Sequence, residues 1–109
     1  MNSIKNSVTL IGNLGKDPEI KQLQSGRAVA RFSLATNETY RNQKGDKVTT
    51  TQWHTLIAWG KTAETMGSLL KKGKEVVVHG KLTYRNYEDK AGVSRSIPEI
   101  VVDEFVLLN

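Results

Sequence analysis

The chain contains no cysteine, which excludes disulfides and thiolate metal sites and is compatible with a reducing compartment. No run approaches the ~20 apolar residues of a membrane span, and the opening "MNSIKNSVTL" lacks the apolar core of a signal peptide. The expectation is a cytoplasmic protein with no membrane association. Histidine is scarce too: His54 and His79 are 25 positions apart with no cluster around either to hold zinc, so neither metal nor cofactor is expected. "GNLGK" lacks the spacer and the following Ser/Thr of a phosphate-binding loop, Lys16 being followed by Asp17, and no serine stands in a nucleophile elbow. Asp103 and Glu104 are adjacent, so in a strand they are expected on opposite faces and not as a carboxylate pair. With these absences no enzyme is expected.

What remains is charge and a few aromatic rings. Sixteen Lys+Arg against eleven Asp+Glu leave a net charge of +5, and phosphate-bearing partners therefore rank above acidic or apolar ones. At 109 residues the chain, 1–109, is expected to be one domain with one modest core.

Short alternating runs rich in Val, Ile and Thr, separated by turn signals, mark a small all-β domain. "SVTLIGNL" is a first strand, and "GKDPEIKQLQSG" an irregular or hairpin connection, because Pro18 lacks a donor and Gly26 sits where a turn is needed. "RAVARFSLATNETY" is the second strand, with Ala28, Ala30, Phe32 and Leu34 facing the core. "RNQKGDK" is a hairpin tip leading into a third strand, "TQWHTLIAW". One helix is expected over "KTAETMGSLLKKG", with Lys71 and Lys72 in its last turn, Gly73 as its stop and Gly67 as a weak point. "KEVVVHGKLTYRNYED" and "SRSIPEIVVDEFVLL" complete the domain. Five strands with one short helix between strands 3 and 4 is the order of a five-stranded OB-fold barrel.

The third strand puts Trp53, Thr55, Ile57 and Trp59 on one face and His54, Leu56 and Ala58 on the other. Hydropathy alone would bury the tryptophan face. The fourth strand decides otherwise: Lys81, Thr83, Arg85 and Tyr87 share a face, and two cations with a ring do not share a small core cheaply. Cations interleaved with rings are what single-stranded nucleic acid requires, since charges track phosphates while bases stack on the rings.

The segments "VTLIGNLGKDPE", "AVARFSLAT", "QWHTLIAWGKTAE", "LLKKG" and "VVHGKLTYRNYEDKAG" occur in the order and nearly at the spacing of bacterial and mitochondrial single-stranded-DNA-binding proteins, and across essentially its whole length the chain resembles that family. The resemblance implies a homotetramer that wraps single-stranded DNA on its exterior without sequence preference, in replication, recombination and repair, and hence nucleoid association. Position by position it implies stacking by Tyr40, Trp53, Trp59 and Tyr87. It also implies phosphate contacts from Arg41, Lys44, Lys61, Lys71, Lys72, Arg85 and Arg95, and a subunit-interface position for His54. Thr55 and Asn86 depart from it, standing where the family often has basic residues. His79 acquires no role. The chain stops at "VVDEFVLLN", with Asp103 and Glu104 inside an apolar run rather than in a free acidic tail, so recruitment of replication and repair enzymes through such a tail is not expected. The rival readings are an RNA-binding or replication-restart OB-fold dimer, and a protein-interaction module using the aromatic face.

Overall fold

Alternation in "AVARFSL" buries Ala28, Ala30, Phe32 and Leu34, and the rest of the molecule is built around that row. The computed structural model describes residues 4–108. It contains β1 (Val8–Leu14), β2 (Glu19–Gln22), β3 (Ala28–Arg41), β4 (Lys47–Trp59), α1 (Gly60–Leu69), β5 (Glu75–Glu88) and β6 (Ser94–Leu107). The strands are ordered β1-β5-β6-β4-β3-β2, and β1 also pairs with β3. This second pairing closes β1, β3, β4, β5 and β6 into the expected five-stranded barrel, with the helix between the third and fourth barrel strands.

Closure depends on Gly12, where a Cβ would stand 2.1 Å from the Ala35 carbonyl oxygen, so only glycine lets β1 cross β3 this closely. The inward residues of β4, Leu56 and Ala58, meet Phe32, Leu34, Val76, Val78, Ile100 and Val102 in one core. The opposite face of β4 turns outward as expected, except that Ile57 is buried in its register position between Arg31 and Val101.

One local expectation is corrected, the end of the helix, and two are sharpened: the 15–26 connection takes the hairpin form, and Gly67 is accounted for by packing. The 15–26 connection contains a strand: β2 pairs with β3 from Glu19↔Arg31 to Gln22↔Ala28, although all four of its residues are exposed. The helix ends at Leu69, so Lys71 and Lys72 lie in the following turn, because Leu70 turns extended and buries its side chain in the core instead. Gly67 has a packing reason, since a Cβ there would meet Ile20 Cδ1 at 2.6 Å.

The β3–β4 and β5–β6 hairpins run on past the barrel as two arms. Among the described residues β4 and β6 pair in parallel at Leu56↔Ile100 and Ile57↔Val101 alone. Beyond it, 37–41 with 47–51 and 84–88 with 94–96 are exposed or nearly so on both faces. The arms give a radius of gyration of 16.0 Å, against about 13 Å for a compact domain of this length.

Candidate nucleic-acid interface

Trp53 lies at the root of the first arm and is 62% exposed. Its indole rests over Gly15, where a Cβ would stand 2.5 Å from the ring atom Cζ3, and the Gly15 N–H donates to the Ser33 carbonyl at 3.0 Å. A backbone pinned to β3 thus forms the floor beneath the ring. Trp59, six residues along β4, is half-buried, and the Arg27 guanidinium stands 4.8 Å from its ring centre, occupying part of the surface that a base would need. Tyr40 is 52% exposed in the outer part of the first arm. Tyr87, on the second arm, is 40% exposed, with the Arg85 guanidinium 5.7 Å from its ring and Arg95 directly across the ladder.

The cations fall into three groups. Arg85 and Arg95 accompany Tyr87, and Arg95 donates through Nε to Asp89 at 3.0 Å. Arg41 and Lys44 lie at the tip of the first arm, where Arg41 donates to the Gly45 carbonyl at 2.9 Å and Asn42 Oδ1 accepts from the Lys44 and Asp46 N–H groups. Lys71 and Lys72 lie in the turn after the helix, where the Lys72 N–H donates to Asp17 Oδ1 at 2.7 Å and the Gly73 N–H to the Leu14 carbonyl at 2.9 Å, beside the Gly15 that floors Trp53. Lys61 is apart from all of these, on a cavity lined also by Thr65, Asp103 and Phe105. Tyr40, Arg41, Lys44, Trp53, Arg85, Tyr87 and Arg95 therefore lie on or at the root of the arms, Lys71 and Lys72 flank the segment beneath Trp53, and Lys61 stands apart.

At the tip of the second arm the Asp89 carboxyl is held below its usual range, first by the Val93 N–H and then by Arg95. His54, on the inward face, is half-buried and hydrogen-bonded through Nε2 to Thr36 Oγ1 at 2.9 Å.

His79 does have partners: Ser7 Oγ is 2.7 Å from Nε2, and Asp103 Oδ1 is 2.9 Å from Nδ1. Asp103 and Glu104 do not diverge as strand alternation predicts, because the ladder steps from His79↔Glu104 to Gly80↔Val102 and leaves Asp103 as the extra residue of a bulge. Ligand atoms of His79, Asp103 and Glu104 lie within 4.8 Å of one another. Both imidazole nitrogens are hydrogen-bonded, so the group ties the segment before β1 to β5 and β6.

Three features escaped the sequence reading. Tyr84 is as exposed as Trp53, because β5 has left the barrel by that point and its inward face has nothing to cover it. Arg31 and the buried Glu99 form an ion pair at 3.7 Å. For Glu99 a signal was present, a lone carboxylate in the otherwise apolar "IPEIVV".

A profile described as the single-strand binding protein family matches residues 5–108. The chain is 42% identical over 103 residues to the single-stranded DNA-binding proteins of Neisseria meningitidis serogroups A and B, covering 94% of this chain and 59% of each relative. It spans less than two thirds of those proteins' length. Among solved structures it is similar to the Plasmodium falciparum SSB complex with single-stranded DNA (TM-score 0.89, 32% identity, all of both chains covered). It is also similar to a deletion variant of the single-stranded DNA binding protein from Thermus aquaticus (TM-score 0.82, 28% identity, 95% of this chain and 50% of that one). No helix among the described residues is long and apolar enough to cross a membrane.

Proposed function

The chain belongs to the single-strand binding protein family, and from that premise we propose that it binds single-stranded DNA without base-sequence preference and without catalysing a reaction. The observation that carries this is the exposed Trp53 at the root of one arm together with the Arg85 and Tyr87 pair on the other. Bases stack on Trp53, Tyr40 and Tyr87, with Trp59 engaged only where Arg27 leaves its ring open. Stacking is worth about 1–3 kcal/mol per base and tolerates any sequence, because every base has a π-face. Arg41, Lys44, Arg85 and Arg95 neutralise phosphates along the arms, and Lys61, Lys71 and Lys72 extend the path over the barrel. Residues 1–109 act as one DNA-binding domain serving replication, recombination and repair at the nucleoid.

The assembly we propose is a homotetramer. Support comes from the outer sheet face, where Ile11, Val77 and Val106 occupy adjacent register positions on β1, β5 and β6, with Ile11 and Val106 largely exposed. An uncovered apolar row of this kind favours association. His54 takes the interface position in this assembly. Sedimentation equilibrium is expected to give about four times the 12.1 kDa chain mass, and a monomer at micromolar concentration contradicts it.

The binding assignment is tested by titrating tryptophan emission with oligothymidylate at two salt concentrations. Quenching is expected, with affinity falling as salt rises by a log–log slope of about −0.7 per phosphate neutralised. Tighter binding of an RNA oligomer of equal length would favour an RNA-binding module, and no response to either would favour a protein-docking one.

A further inference from the structure

We propose that Arg31 and Arg85, aligned on the buried carboxylate of Glu99, form a phosphodiester site on the outer face of the barrel next to Trp53; this rests on the single-strand-binding assignment and locates one of its phosphate contacts. Among the described residues Glu99 is the one buried charged side chain, 4% exposed. A carboxylate taken out of water must be paired, and here it is paired twice. Oε2 accepts from Arg85 Nε at 3.3 Å and lies 3.7 Å from Arg31 Nη2. Glu99 thereby joins β3, β5 and β6 and draws two guanidinium groups to one point.

One carboxylate cannot neutralise two guanidiniums. Lys16, also on this cavity, is matched by Glu19 at 3.9 Å, so the group carries one excess positive charge, the complement of a single phosphodiester. Both arginine side chains remain nearly half exposed, at 46% and 43%, and so reach solvent rather than being sealed against Glu99. The bond from Arg85 is made through Nε, which leaves its terminal fork uncommitted to that contact. Forked guanidinium donors suit phosphate oxygens better than a point charge does, and the hydroxyl-bearing Ser33 and Thr55 line the same cavity of about 240 Å³.

The position relative to Trp53 sets the ligand. Thr55 and Ile97 line both this cavity and the neighbouring one that Trp53 lines. Trp53 and Thr55 share a strand face about 6.6 Å apart, so a phosphate between the arginines belongs to a strand whose base reaches the indole. Arg31 thus supplies from β3 a cation that β4 lacks at Thr55.

The test is oligothymidylate titration of the full chain across salt, with melting temperature as the folding control. Arg31→Ala is expected to weaken binding about tenfold, the scale of one lost charged hydrogen-bond contact. It is also expected to make the salt slope shallower by about 0.7, one phosphate's share. Arg31→Lys, which keeps the charge without the fork, should restore the slope and only part of the affinity. In a Glu99→Gln background Arg31→Ala should lose at least half its effect, because the guanidinium is no longer held. Unchanged affinity and slope in Arg31→Ala, with the parent binding normally, overturns the site and leaves the DNA-binding assignment standing. An equal Arg31→Ala effect in both backgrounds overturns the alignment by Glu99. Failure of the parent to bind at all overturns both assignments.

Discussion

From Ala28 to Leu34, β3 buries every second side chain; from Asn37 to Arg41 the same strand buries none. β5 repeats the contrast, with Val76, Val78 and Gly80 buried and Tyr84 through Glu88 exposed. The two regions share strands and a continuous ladder, yet the barrel closes on a core and the arms close on nothing. An isolated two-stranded hairpin is marginal in water, so each arm depends on the body at its root and on local devices at its tip. The tips are tied by side chains: Asn42 Oδ1 accepts two backbone N–H groups on the first arm, and Asp89 Oδ1 accepts two on the second. Exposed rings are tolerated where nothing needs to be buried. That division separates what folds the chain from what meets the ligand.

The sharpest way to break this division is to cut each side and read both outcomes. Phe32→Ala, in the core, should cost about 3–5 kcal/mol of stability and appear as a large fall in melting temperature, with oligothymidylate affinity retained at temperatures where the variant is folded. Trp53→Ala should do the reverse, losing about 1–3 kcal/mol of binding with the melting temperature unchanged. A comparable loss of stability in Trp53→Ala would put the ring on the folding side.

Gly15→Ala probes the boundary between the two. The added methyl displaces the indole from its floor, so binding is expected to weaken about threefold to tenfold, less than on removing the ring, together with a shift in tryptophan emission. An unchanged emission spectrum would show that the ring does not rest there.

Much of the barrel could be read from residue order because a closed sheet with one buried face imposes strict alternation. The inward sets of β3 and β4 follow from it; the single helix follows from its own helical spacing, and the outward turn of Trp53 is decided by the cations and ring of the fourth strand. Alternation is silent where its premise fails. It does not reveal that β5 leaves the barrel before Tyr84, which makes both faces wet. Nor does it reveal the bulge at Asp103, since one extra residue resets the faces without altering composition. β2 was hidden for a different reason: its four exposed residues make backbone contacts to β3 that carry no hydropathy signal. Of the interface, ring and cation types along the strands were visible, but pairings across strands, such as Arg27 on Trp59 and Arg31 on Glu99, required the register.

The smallest effect belongs to the tip of the second arm. Because the folded Asp89 carboxyl is held below its usual range, its contribution is present above the ordinary carboxylate range and is lost as pH falls through the depressed folded value. Amide exchange at Ala91 and Val93 should therefore become less protected in acid than exchange in β3 does once the intrinsic pH dependence is removed. Asp89→Ala, which removes the acceptor of both N–H groups, should reproduce the loss at neutral pH. Equal protection of tip and barrel across the acid range would remove the distinction at this point.

The central claim, that the outward ring, the arms and the outer surface meet single-stranded DNA while the buried core only holds them in place, is tested most directly in a Trp59→Phe variant, in which Trp53 is the sole tryptophan. Titration with oligothymidylate should quench its emission in proportion to strand bound, with an affinity that falls as salt rises. Binding without quenching, or quenching indifferent to salt, would contradict the account.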